Sequence, residues 1–83
     1  METPKAYEEI INFIASGITT ENVATFQASP ETIARVSDLV FREKTVGLSD
    51  EEASELNSYM LLEHLMRLAK IRARQLLKLK QSI

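Results

Sequence analysis

Ser49-Asp50-Glu51-Glu52-Ala53-Ser54-Glu55-Leu56 opens a run that continues to Lys80 without Gly or Pro. Reading that run decides the fold. Ser49 is a strong N-cap, because its hydroxyl can accept a first-turn backbone N–H while Glu52, three residues on, reaches back. Asp50, Glu51, Glu52 and Glu55 place negative charge at the positive end of a helix dipole. Arg72, Arg74, Lys78 and Lys80 place positive charge at the other end. Between them stand Ala, Leu, Met, Glu, Lys, Arg and Gln, all good helix formers. The stretch predicts one helix from about 50 to 80, ~46 Å long at ~1.5 Å per residue.

Working back toward the N-terminus, Gly47 and Leu48 make a very short turn. A turn that short makes the helices it joins antiparallel neighbours. Ser29-Pro30-Glu31 opens a third helix with an N-cap, Pro at the first position and an acid, and that helix is expected to run to about Val46. Its expected core face is Ile33, Val36, Val40 and Phe41, with Leu39 to the side. Arg35, Asp38, Arg42 and Glu43 are expected to face water. Thr19 and Thr20 precede a two-turn helix anchored by Val23, Ala24 and Phe26. A first helix is expected from Pro4, after Thr3, to Ser16, with Gly17 as a left-handed C-cap followed by Ile18. No segment alternates apolar and polar residues as a strand requires.

These readings predict an all-α domain, residues 1–83, built as a small bundle of about four helices. Its long C-terminal helix (about 50–80) packs antiparallel on the preceding one (about 30–46). At 83 residues and 45% hydrophobic, the chain supports one core. It has no Cys, which fits a reducing compartment. Met1-Glu2-Thr3-Pro4-Lys5 lacks the basic start and apolar run of a signal peptide, and no stretch approaches the ~20 apolar residues of a membrane span. A cytoplasmic location with no membrane partner is expected.

The net charge of −2 is unevenly spread. Residues 1–63 hold all twelve acids and four bases, a net −8, while residues 64–83 hold six bases and no acid, a net +6. Such polarity serves a helix dipole, a contact with an acidic surface, or an anionic partner.

No residue set names a reaction. His64 is the single histidine; a metal needs several ligands, and the adjacent Glu63 points ~100° away around the helix. The acids at 50–55 lack the loop and Gly pattern of a calcium site, and Glu8 and Glu9 read as a solvated face. Phosphate-loop and nucleophile-elbow patterns are missing too. Neither catalysis nor a cofactor is expected.

What the long helix offers is surface. Its main apolar stripe is Tyr59, Leu62, Leu65, Met66, Ala69, Ala73, Leu76 and Leu77, and a second set, Met60, Leu61, Leu68, Ile71 and Leu79, lies elsewhere on the circumference. A compact chain of this length has a radius of gyration of roughly 12 Å. The last three turns, about Ala69 to Lys80, are therefore expected to overhang and expose an apolar patch of the kind that marks an interface. The candidate interface is Leu65, Leu68, Ile71, Arg72, Leu76, Leu77 and Leu79. A homodimer through it is the favoured reading. The rival is nucleic-acid binding through the basic end, against which stand a pI of about 5.4 and the lack of interleaved aromatics.

The stretch Arg42 to Leu56, carrying Gly47-Leu48-Ser49 and Glu51-Glu52, and the stretch Leu62-Glu63-His64-Leu65-Met66-Arg67-Leu68-Ala69-Lys70 resemble a family of small helical bacterial proteins, largely cyanobacterial. The resemblance covers roughly residues 29–77, with Ile71 standing where Ala is usual. It implies no reaction. Genes of that family often lie beside HNH-type nucleases, so the resemblance implies an antitoxin-like or accessory role toward a nuclease partner.

Overall fold

Four helices follow one another along the chain: α1 (Glu8–Ala15), α2 (Thr20–Thr25), α3 (Pro30–Thr45) and α4 (Asp50–Gln81). The computed structural model describes residues 5–81. The expected helix start at Pro4, with Thr3 before it, lies outside the described residues; within them α1 begins at Glu8.

Local chemistry accounts for the starts of α2, α3 and α4 and for the ends of α1 and α3. Thr19 Oγ1 accepts the Asn22 N–H at 3.1 Å and caps α2. Ser29 Oγ accepts the Thr32 N–H at 3.2 Å and caps α3, with Pro30 in the first helical turn. At α4 the exchange is reciprocal, since Ser49 Oγ accepts the Glu52 N–H and Glu52 Oε1 accepts the Ser49 N–H, both at 3.1 Å. Gly17 and Gly47 adopt φ of +87° and +89° after α1 and α3. An L side chain strains at such angles, so glycine is what lets the chain reverse there.

The core lies on one face of α4. Ala6, Ile10, Val23, Ala24, Tyr59, Met66 and Ala73 form the buried cluster, with Phe13, Phe26, Val36, Leu62 and Leu77 packed against it. The Phe13 and Phe26 rings meet at 4.5 Å between centroids, joining α1 to the segment after α2. Burying a side chain such as Met66 or Ile10 contributes about 1.5–3 kcal/mol. The bundle is elongated, 54 × 27 × 19 Å with a radius of gyration of 15.2 Å, because α4 outruns the other elements.

α3 runs antiparallel to α4, as Arg42 pairs with Glu52 and Arg35 with Glu55. The more extensive packing along α4 nevertheless comes from α2. The face of α3 turned inward also differs from expectation. Leu39 is fully buried, while Ile33 and Phe41 are 54% and 66% exposed. The reason lies in the spacing: Arg35, Leu39 and Arg42 share one side of α3, and both arginines have acid partners on α4. Turning that side inward satisfies two charges and buries Leu39, and it leaves Ile33 and Phe41 outside. Arg35 and Arg42 therefore do not simply face water.

The overhang is smaller than expected. Ala73 is buried and Leu77 packs against the core, so the protein body covers one face of α4 to within a turn of its end. The turn into α2 lies over this region: Ile18, Thr19, Thr20 and Leu77 line one shallow groove. The expected main stripe of α4 is corrected as well, since Leu65, Ala69 and Leu76 are exposed and Glu55 and Leu56 are buried.

Candidate interaction surface

Helical periodicity separates α4 into a covered front and an open back. Buried Glu55, Tyr59, Met66 and Ala73, with half-buried Leu62 and Leu77, follow one side at steps of three, four and seven residues. About 130° around the helix from that side run Leu61, Leu65, Leu68, Arg72, Gln75 and Leu79, at alternating steps of four and three. All six are exposed, with Leu61 and Leu79 at 63%. This row covers ~27 Å of helix at ~1.5 Å per residue.

The predicted interface residues divide between these faces. Leu65, Leu68, Arg72 and Leu79 stand together on the open back. Leu76 and Ile71 flank it on opposite sides, Leu76 beside Ile18 and Thr20, Ile71 beside Phe26 and Ala28. Leu77 turns to the core. Leu61, a member of the secondary apolar set and not of the candidate interface, belongs to the row and extends it toward the middle of the helix. The signal that finds it is the four–three spacing itself.

Polar chemistry is spread along the same helix. Arg72 donates to Gln75 Oε1 at 3.3 Å, so the two polar members of the row bond to each other. Arg67 donates to Glu63 Oε1 at 2.7 Å, the anticipated i,i+4 pair. Arg67, Lys70 and Arg74 line a groove with Phe26, Gln27 and Tyr59. Burial pushes the Tyr59 hydroxyl above its ordinary pKa, aided by the charges of Glu63 and Glu9. His64 is exposed. Among the described residues no group of His, Cys, Asp and Glu is placed to hold a metal ion.

Glu55 has a different role from its neighbours in the acidic start of α4. It is 1% exposed, forks onto Arg35 Nε and Nη2 at 3.0 and 2.9 Å, and accepts the Ala6 N–H at 2.9 Å. The Arg35 guanidinium, joined by the Ala6 N–H, holds its carboxyl below the usual range against the opposing effect of burial. This is a structural knot, tying the segment before α1 to α3 and α4. Glu8 and Glu9 also leave the solvated face assigned to them. Glu8 accepts the Lys5 N–H and Glu9 the Ser29 N–H, both half-buried. Sequence reasoning missed these ties because each acid sits in a helix turn where solvation is the ordinary outcome.

No helix among the described residues is long and apolar enough to cross a membrane. Comparison with protein-family models, curated proteins and solved structures finds no match.

Proposed function

We propose that this chain works by association rather than catalysis. It pairs with a second copy through the back face of α4, and in that form it assists or neutralises a partner protein, for which a nuclease is the candidate that the family resemblance supplies. The observation that carries the reading is the set of four exposed leucines, Leu61, Leu65, Leu68 and Leu79, on a side of α4 that the core leaves uncovered. Isolated exposed leucines are ordinary; Leu61, Leu65 and Leu68 at successive heptad positions, with Leu79 further along the same row beyond Arg72 and Gln75, mark a helix surface awaiting another helix. Sedimentation equilibrium at low and high salt tests self-association. A dimer that persists at high salt is the expected result, since burial of leucine does not weaken with ionic strength. A monomer at tens of micromolar at both salts overturns it.

The second reading is nucleic-acid binding, favoured by Arg67, Lys70 and Arg74 lining one groove beside Tyr59 and Phe26. Binding of that kind falls steeply as salt rises and is lost on charge reversal of the basic end. A double Arg72→Glu/Arg74→Glu variant that leaves nucleic-acid retention unchanged removes this alternative.

A further inference from the structure

The self-pairing proposed above leaves open which way the two α4 helices run, and the charge distribution along α4 answers it. We infer that two copies pair antiparallel, with α4 overlapping its counterpart along the full length. This inference rests on the self-association reading and adds orientation and register to it.

The argument begins with charge. The first turn of α4 carries Asp50, Glu51 and Glu52, and its last turn carries Lys78 and Lys80. No acid follows Glu63 in the chain. A parallel pair would lay this basic half beside its own copy, and like charges held together across an interface oppose binding. An antiparallel pair lays it beside the acidic start and also opposes the two helix dipoles. Rim charges contribute only ~0–1 kcal/mol per pair, whereas a leucine brought out of water contributes about 1.5–3 kcal/mol at full burial. The leucines therefore supply the attraction, and the charges choose the direction.

The spacing restricts the register to slips of whole heptads, and overlap of the full helix selects one of them. In an antiparallel coiled pair each knob of one heptad class meets the other class on the partner. Matching the row in this way sets Leu65 against Leu68 of the second copy at the centre, and Leu61 against Arg72. Gln75 then meets Ser58, and Leu79 meets Ser54. Lys80 comes to lie within a turn of Asp50 and Glu51. Arg72 lays its aliphatic stem on the facing Leu61, as a long basic side chain does at the edge of an apolar seam.

Disulfide trapping tests the register directly, because the natural chain has no Cys. Leu61→Cys and Arg72→Cys are made separately in the full chain, at two exposed positions, and each is oxidised alone and in an equimolar mixture. The expected result is covalent dimer in the mixture and little in either variant alone, since in this register the two copies of position 61 stand ~16 Å apart along the axis. Covalent dimer from each variant alone overturns the orientation in favour of a parallel pair, with self-association intact. Absence of trapping with a dimeric mass assigns pairing to another face and overturns the register. Absence of trapping with a monomeric mass removes the self-association reading itself.

Discussion

Glu55 is the residue on which the most elements depend. Its carboxylate meets Arg35 from α3 and the Ala6 N–H ahead of α1, so one side chain joins three parts of the chain. Breaking a fully buried ion pair costs ~3–5 kcal/mol; Arg35 keeps contact with water, so Glu55→Ala is expected to cost about 2–3 kcal/mol in urea unfolding. The pH dependence follows from the depressed pKa. Glu55 titrates below its ordinary 4.5 in the folded chain, so its contribution is present above that value and disappears as pH falls through the lower folded value. Glu52 adds to the same acid-side loss, held low first by the Ser49 N–H and then by Arg42. Thermal melts from pH 6 toward pH 3 should show Tm falling, and Glu55→Gln should flatten that slope. A second residue-scale expectation concerns Leu39. It has 0% exposure, and Leu39→Ala should cost about 2–4 kcal/mol, while Phe41→Ala, two residues away and outside the core, should stay within ~0.5 kcal/mol.

At the scale of elements, α4 owes its start to a few local atoms. Removing the reciprocal cap with Ser49→Ala should cost about 1 kcal/mol, read as a lowered urea midpoint at unchanged slope. Gly47→Ala meets no neighbouring atom within 4 Å, but it forces a Cβ into φ of +89°. Its expected cost of about 1 kcal/mol is therefore backbone strain alone. The two sides of α4 give a sharper contrast. Leu77→Ala should lower the stability of the folded chain by about 1–2 kcal/mol, because Leu77 packs on the core. Leu79→Ala should leave the folded chain nearly unchanged and weaken association instead, measured as a dissociation constant by sedimentation.

The whole molecule is longer than its residue count requires, with a 54 Å long axis and a 15.2 Å radius of gyration against roughly 12 Å for a compact chain of this length. An antiparallel pair with full overlap is expected to double the mass while leaving the longest dimension near that of one copy. Small-angle scattering checks this: a longest dimension well beyond the 54 Å of a single copy would mean that the copies meet end to end. The apolar face left open on α3 by Ile33 and Phe41 belongs to the same balance. With its elements strung along α4, a chain this short cannot turn every apolar stripe inward.

Local sequence chemistry specifies the number and order of the helices and their boundaries, except the start of α1 and the end of α2. Caps at Thr19, Ser29 and Ser49 and left-handed glycines at 17 and 47 act across three to five residues, so their chemistry is legible wherever the chain is read. Tertiary structure decided which side of each helix faces inward. Arg35 reaches Glu55 across twenty residues and Ala6 reaches it across forty-nine. Those long-range pairings turned α3 onto Leu39, keeping Val36 of the expected stripe against the core and leaving Ile33 and Phe41 outside. On α4 the helical period picked the buried side, since Tyr59, Leu62, Met66, Ala73 and Leu77 of the expected stripe meet the core, but not its edge. Packing by the neighbouring helices left Leu65, Ala69 and Leu76 open at that edge, because the covered width of a helix apolar on two sides is set by the elements that arrive against it.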